Sequence, residues 1–142
     1  MVTIYTDGAC SKNPGGFGGW GVYIQEGNKE TFLSGGDPST TNNKMEMTAV
    51  IEALKHFKEK KIITLYSDSI YVIKGITEWM ENWKKKRWKK VKNLEFWLEI
   101  DRLNKFHQVE WVHVRGHSGV RGNEIADELA VIEKNKLKES SK

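Results

Sequence analysis

One short segment, residues 62–66, constrains the fold of this 142-residue chain more than any other. Its residues, Ile-Ile-Thr-Leu-Tyr, are nearly all apolar, and the chain becomes polar directly afterwards at Ser67-Asp68. A short apolar run of this kind is typical of a central parallel strand that is buried on both faces. Parallel neighbours need crossover connections, so the segment favours an α/β fold.

The rest of the chain supplies the partners of this strand. Residue patterns predict further strands over 2–6, 20–26, 29–34 and 109–114, and helices over 44–59, 69–83, from an Asn93 cap onward, and 123–134. Gly27-Asn28 indicates a hairpin, whereas the glycine-rich stretch 8–19 and the polar stretch 35–43 are predicted loops.

This order of elements predicts the topology. Three leading strands with short connections form an antiparallel meander, and a strand–helix–strand crossover then adds parallel strands. We therefore expect one α/β domain over residues 1–142, built as a mixed five-stranded sheet with helices packed on it. Residues 134–142 contain one apolar residue in nine and are expected to form a frayed tail.

Composition excludes several classes of protein. Apolar residues make up 38% and charged residues 30% of the chain, which is a soluble globular composition and not a collagen-like, disordered or membrane-spanning one. The N-terminal residues have neither a charged n-region nor an apolar h-region, so we expect no secretory signal, and the single cysteine, Cys10, cannot form an intrachain disulfide. We expect a cytoplasmic monomer without membrane association.

Positive charge is concentrated in one segment. The chain has a net charge of +4, yet residues 84–92 alone contain seven basic residues and no acids, which leaves the other residues with a net charge of −3. A solvated surface is one interpretation, but interleaved tryptophans favour nucleic acid binding. The candidate contacts are Trp79, Trp83, Lys84, Lys85, Lys86, Arg87, Trp88, Lys89 and Lys90. Trp79 and Trp83 stand four residues apart and can instead form a small local core, so Trp88 is the stronger candidate for a ring contact.

Two aspartates, Asp7 and Asp68, follow predicted strands directly. If those strands are parallel neighbours, the two carboxylates lie within a few ångströms of each other and favour a shared cation. The alternative is that each aspartate only ends a strand. Oxygen-rich sites of this kind suit Mg²⁺ or Mn²⁺, and the sequence has neither zinc-type His/Cys spacing nor a Walker-type phosphate loop.

Three further candidates have equally plain structural interpretations. Glu46 points along the buried stripe of its predicted helix, but it also stands three residues after Asn43, as in a capping box. Asp127 lies early in the last helix, where an acid is favourable to the helix dipole. His117 lies in a glycine-punctuated loop, where a histidine can be incidental.

Several motifs together resemble one family. They are residues 6–15 (Thr-Asp-Gly-Ala-Cys-Ser-Lys-Asn-Pro-Gly), 41–46 (Thr-Asn-Asn-Lys-Met-Glu), 67–72 (Ser-Asp-Ser-Ile-Tyr-Val), 116–119 (Gly-His-Ser-Gly) and 123–130 (Asn-Glu-Ile-Ala-Asp-Glu-Leu-Ala). In this order they resemble type 1 ribonuclease H over nearly the whole chain, and residues 75–88 resemble the basic protrusion of its bacterial form.

The resemblance implies a fold, an activity and a set of residues. It implies the ribonuclease H fold and endonucleolytic cleavage of the RNA strand of an RNA/DNA hybrid. Asp7, Glu46, Asp68 and Asp127 match the family's metal-binding carboxylates, His117 matches its loop histidine, and Asn13, Asn42 and Asn43 match positions that contact the hybrid. Ile70 departs from the family, which often has glutamine there, so base-edge contacts at that point are not expected.

The implied chemistry is a two-metal hydrolysis that gives 5′-phosphate and 3′-hydroxyl ends. Two cations ~3.5–4 Å apart can activate a water and stabilise the leaving oxygen. We expect Asp7 to bridge both ions, Glu46 and Asp68 to complete one site and Asp127 the other. Two alternatives stay open, namely a hybrid-binding module without catalysis and a DNA-cutting nuclease of the same fold, such as a resolvase or transposase domain.

Overall fold

The computed structural model of the chain describes residues 1–12, 15–116 and 119–140, and it contains a mixed five-stranded sheet. The strands are β1 (Val2–Cys10), β2 (Gly16–Glu26), β3 (Lys29–Thr40), β4 (Ile62–Ser67) and β5 (Gln108–His113), in the order β3-β2-β1-β4-β5. The first three strands pair antiparallel, and β4 pairs parallel with both β1 and β5. This confirms the predicted α/β class and the mixed sheet.

Helices pack on both faces of this sheet. They are α1 (Asn42–Lys55), α2 (Ile70–Lys74), α3 (Met80–Lys85), α4 (Leu94–Phe106) and α5 (Arg121–Ser140), and a π-helical turn, Gly75–Trp79, joins α2 to α3 without a break. The main core lies between the sheet, α1 and α4, where Met47, Leu65 and Trp97 are fully buried. None of the helices in the described ranges is long and apolar enough to cross a membrane.

The predicted loops at 8–19 and 35–43 are wrong, because most of these residues belong to strands. β1 continues to Cys10, β2 begins at Gly16 and β3 continues to Thr40. Glycine suggested a loop, yet the glycines of β2 serve close packing instead. A Cβ atom at Gly19 would lie only 2.1 Å from the carbonyl oxygen of Ala130, so glycine lets α5 lie directly on the sheet.

The prediction that the central strand is buried on both faces is also wrong. In β4 only one side of the strand, with Ile63, Leu65 and Ser67, is fully buried, and Ile62 is 55% exposed. The reason is that α5 covers β1, β2 and β3 and does not extend over β4.

Helix ends differ from the predictions for local reasons. The N-cap of α1 is Thr41, whose hydroxyl accepts a hydrogen bond from the Lys44 N–H at 3.1 Å. Asn93 precedes α4 with φ of 59° and makes no side-chain cap bond, because its amide donates to the Tyr71 hydroxyl at 3.1 Å. The last helix is longer than predicted, and residues 134–140, which were expected to fray, are helical.

A buried histidine joins three elements at the end of the sheet opposite the aspartates. His107 is 4% exposed, its Nδ1 accepts from the Lys61 N–H at 3.1 Å, and its Nε2–H donates to the Leu54 carbonyl at 3.0 Å. The bond at Nδ1 fixes the tautomer, since that nitrogen must be the acceptor.

We expect His107→Ala to lower the free energy of unfolding by roughly 2–4 kcal/mol, because it leaves the buried Leu54 carbonyl and the part-buried Lys61 N–H without this partner and opens a cavity. Urea unfolding monitored by circular dichroism measures this. His56→Ala, at an exposed position, is the control and should change stability by less than about 0.5 kcal/mol. Equal effects of the two substitutions would show that the His107 bonds contribute nothing.

Candidate active site

Three carboxylates lie together at the end of the sheet where β4 ends. Asp7, Glu46 and Asp68 each offer an oxygen, and these oxygens all lie within 4.8 Å of one another. Asp7 and Glu46 are buried, with 3% and 5% exposure, and Asp68 is half-buried. Such a concentration of acids is unfavourable without a counter-charge, so its existence in the fold needs a chemical reason.

The backbone brings these residues together in two ways. The parallel pairing of β1 and β4 matches Thr6 with Ser67, so Asp7 and Asp68 follow the last matched pair side by side. Asp7 itself is not at a strand end as predicted, since β1 continues as an antiparallel partner of β2. Gly8 admits the start of α1, because a Cβ atom there would lie 2.4 Å from the Glu46 nitrogen.

The cluster strongly disfavours full ionisation. Burial, then the charge of Asp68 and a hydrogen bond with Asp127, raise the pKa of Asp7 to about 9, although the Gly8 N–H, which donates to Asp7 Oδ1 at 2.8 Å, opposes this. Burial raises the pKa of Glu46 well above its usual value, and the charges of Asp7 and Asp68 add to it. Removing this repulsion is what a bound cation would do.

Unpartnered oxygens point to the same chemistry. Glu46 Oε1 and Asp68 Oδ1 are buried and have no hydrogen-bond partner within the described ranges. Buried polar atoms normally have partners, so carboxylate oxygens without one fit the coordination of a cation. A site made only of carboxylate oxygens fits a hard divalent cation and does not fit zinc, which favours nitrogen and sulfur.

The fourth predicted carboxylate, Asp127, lies next to this cluster. It projects from α5 and shares a hydrogen bond with Asp7, but it is not among the three residues whose oxygens lie within 4.8 Å. The structure therefore places Asp127 on the Asp7 side of the cluster. The capping-box interpretation of Glu46 is wrong, since Thr41 caps α1 and Glu46 is buried in the cluster.

One buried polar residue on α5 was not among the candidates predicted from the sequence. Asn123 is 2% exposed, and its Oδ1 has no partner among the described residues. It stands four residues before Asp127 on α5, so both side chains lie on the same side of the helix. Asparagine one helical turn before an acid was the available signal.

The structure describes only some of the residues that were predicted to contact a hybrid. Asn42 and Asn43 begin α1, one turn before Glu46, and Asn42 is exposed. Asn13 and His117 lie outside the described residues. Gly116, the last described residue before His117, lies close to the cluster, since a Cβ atom at Gly116 would lie 3.0 Å from Asp68 Oδ2.

The basic segment, residues 84–92, extends from the end of α3. Its exposed cations are Lys85, Lys86, Arg87, Lys89, Lys90 and Lys92. Lys84 differs, because its ammonium forms an ion pair with Asp101 at 2.9 Å. Trp88, predicted as the best ring contact, is half-buried and packs on Trp83 with ring centroids 6.2 Å apart. Trp79 is the exposed ring, at 37%.

Comparison with known proteins identifies the family. The family model described as RNase H matches residues 1–134. The chain belongs to the ribonuclease H family. Curated relatives named Ribonuclease H include that of Cupriavidus necator, 53% identical over 91% of this chain and 92% of its own, and that of Ehrlichia ruminantium, 51% identical over 91% of each. This ribonuclease H is therefore a nuclease.

Solved structures agree with the ribonuclease H fold. LC9-RNase H1, a type 1 RNase H with the type 2 active-site motif, superposes with a TM-score of 0.87 at 31% identity and covers 96% of this chain and 72% of that one. LC11-RNase H1 in complex with an RNA/DNA hybrid superposes with a TM-score of 0.73 at 25% identity, covering 96% and 98%.

The raised pKa of Asp7 predicts how the stability of this ribonuclease H depends on pH. Without divalent cations, the free energy of unfolding should fall from pH about 4 to pH about 9, because the unfolded chain releases a proton that folded Asp7 keeps. Asp7→Asn removes the contribution of Asp7 to this dependence, although Glu46, whose pKa is also raised, keeps its own, and the variant should be more stable than wild type by roughly 1–3 kcal/mol at pH 8.

Chemical denaturation of both proteins in chelator across this pH range measures the difference. Saturating Mg²⁺ should stabilise wild type more than Asp7→Asn, since only wild type has the complete cluster. An Asp7→Asn variant that is less stable than wild type in chelator at pH 8 would show that the cluster carries no repulsion.

Proposed function

We propose that this ribonuclease H hydrolyses the RNA strand of RNA/DNA hybrids at the carboxylate cluster in a divalent-cation-dependent reaction. The observation that carries the proposal is the convergence of Asp7, Glu46 and Asp68, with two buried oxygens that have no partner among the described residues. A fold needs no such arrangement for stability, because bringing three repelling acids together, two of them buried, costs free energy. The cluster therefore argues against a binding module without catalysis.

Two features support a hybrid as the substrate. The related LC11-RNase H1 is known in complex with an RNA/DNA hybrid. In this chain, exposed cations on the basic segment offer contacts for a phosphate backbone, and Asn42 lies exposed at the start of α1 near the cluster. RNA is distinguished from DNA by its 2′-hydroxyls, which a wide, shallow minor groove displays. The hybrid complex of the related protein favours a hybrid over duplex DNA, and the exposed cations fit the phosphate backbone of either duplex.

The carboxylates and His117 have different roles in the proposed reaction. Asp7, Glu46, Asp68 and Asp127 hold the cation site, for which Mg²⁺ is our choice and Mn²⁺ a substitute, because both prefer carboxylate oxygens. Bound cations supply an activated water and stabilise the leaving oxygen. We assign to His117 a proton-transfer or product-release role, in keeping with the family match. The expected products carry 5′-phosphate and 3′-hydroxyl ends.

The proposal is tested with a DNA–RNA–DNA strand, containing four ribonucleotides, annealed to complementary DNA. Cleavage should fall only within the ribonucleotides or at their borders, and the downstream fragments should be ligatable through their 5′-phosphates. Cuts in the deoxynucleotide stretches, or in the complementary strand, would favour the DNA-cutting alternative. Stable binding by wild type without cleavage in Mg²⁺ or Mn²⁺ would favour the inactive module.

A further inference from the structure

We propose that Asp101 is a positioning residue that holds the basic segment in its substrate-binding orientation, and that Lys84 acts as its tether instead of contacting substrate. The inference deepens the proposed function and rests on it, since the substrate is the RNA/DNA hybrid. Lys84 was predicted from the sequence as a nucleic acid contact, and this inference reassigns it.

Asp101 forms ion pairs through both of its carboxylate oxygens. Asp101 lies on α4 and is only 8% exposed. Its Oδ1 lies 2.9 Å from the Lys84 ammonium and its Oδ2 lies 3.1 Å from that of Lys105, so both oxygens are engaged. The hydrogen bond with Asp101 is also the main cause that raises the pKa of Lys84. A buried, doubly paired carboxylate holds its partners more firmly than surface pairs do.

The backbone after Lys84 adopts an energetically unfavourable conformation. Arg87, Trp88 and Lys90 have φ of 55°, 60° and 60°, in the left-handed region that residues with side chains rarely adopt. Such residues persist only where surrounding contacts hold them. The Trp88 N–H donates to the Trp83 carbonyl at 2.7 Å and the two rings pack together, which fixes the turn itself.

Exposed cations directly follow Lys84 along the chain. Lys84 is the last residue of the segment with a paired side chain before the turn, and Lys85, Lys86 and Arg87 follow it at exposed positions. The Lys84–Asp101 pair therefore fixes α3 against α4 at the base of the segment. A preordered array of cations binds a phosphate backbone without losing further conformational freedom. Loosening its base should weaken substrate binding and leave the carboxylate cluster unchanged.

Asp101→Asn separates positioning from simple charge. The substitution raises the net charge by one unit and frees two lysines, so electrostatic attraction alone predicts tighter hybrid binding. The positioning role predicts the opposite, namely a KM and a hybrid dissociation constant raised about threefold or more with kcat within about twofold. Glu99→Gln is the matched control, because it removes one negative charge from the same helix, where Glu99 pairs with Arg102.

Lys84→Met provides a second, independent test through a double-mutant cycle. If Lys84 acts only through Asp101, the double variant should bind hybrid no more weakly than the weaker of the two single variants. Additive losses, or an Asp101→Asn variant that binds as tightly as Glu99→Gln, would overturn the inference. Thermal unfolding checks that each variant is folded. Hybrid binding measured in chelator reports on positioning even if wild type proves unable to cleave, so failure of the proposed activity is distinguished from failure of this inference.

Discussion

Asp7→Asn and Asp68→Asn will each lower kcat for hybrid cleavage by at least about a hundredfold, the order of effect of removing one strong electrostatic stabiliser from an active site. Both substitutions keep the shape of the side chain and remove the charge that a cation needs. Because Asp7 interacts with both Asp68 and Asp127, its loss should be the more severe. Steady-state kinetics with a labelled hybrid in saturating Mg²⁺ measures the effect.

Glu59→Gln is the control for this prediction, since it removes a charge at an exposed position between α1 and β4 and should leave kcat unchanged. His117→Ala should lower kcat less than Asp7→Asn does, because water or buffer can replace a proton carrier. Near-normal turnover of either aspartate variant would show that the substituted residue is not a metal ligand. Circular dichroism establishes that loss of activity is not loss of folding.

Replacing Lys85, Lys86 and Lys89 together by Ala should raise KM several-fold or more at moderate salt, with kcat changed by no more than about twofold. These lysines are exposed and belong to the basic segment, far in sequence from the carboxylates. Contacts to phosphates contribute equally to the ground state and the transition state. The slope of log K against log salt should therefore become shallower by roughly 2–3, since each phosphate contact contributes about 0.7–0.9.

The matched control is a triple variant in which Ala replaces Lys55, Lys58 and Lys60. They are also exposed and remove the same charge, but they lie near the end of the sheet where β4 begins, away from the carboxylate edge. The control should leave the salt dependence nearly unchanged. A collapse of kcat in the first variant, with KM and salt slope unchanged, would mean that the basic segment shapes the active site and does not bind the backbone.

The topology was predictable from sequence because burial and helical spacing leave strong patterns. The apolar run at β4 and the stripe along α1 placed the crossover correctly. Strand ends at Cys10, Gly16 and Thr40 were not predictable, because glycine has the same appearance in a loop and under a closely packed helix. Tertiary contacts such as that between Gly19 and Ala130 on α5 distinguish these two uses.

The part of the candidate site that was predictable from sequence is the part that strand pairing alone places. Asp7 and Asp68 followed from parallel pairing, whereas the spacing of Asn43 and Glu46 also fitted a cap. The resemblance to the family, and not spacing, favoured a metal-binding role for Glu46. The choice of Thr41 as N-cap depends on how the chain leaves β3, which local spacing does not contain.

The basic segment shows a different limit. Lys84 resembles its neighbours in sequence, yet its ion pair with Asp101 joins residues of two helices. Trp88 likewise stands among charged residues in the sequence, yet its backbone is left-handed and its ring packs on that of Trp83. Tertiary contacts of this kind leave no periodic signal in a single sequence.

The most direct test of the account is cleavage of three matched duplexes, an RNA/DNA hybrid, a DNA duplex and an RNA duplex, by wild type and Asp7→Asn. Each reaction is run with Mg²⁺ and with chelator. We expect wild type to cut only the RNA strand of the hybrid, and only with Mg²⁺, and we expect Asp7→Asn to be nearly inactive. Cleavage of the DNA duplex at a comparable rate, or of the hybrid in chelator, would contradict it.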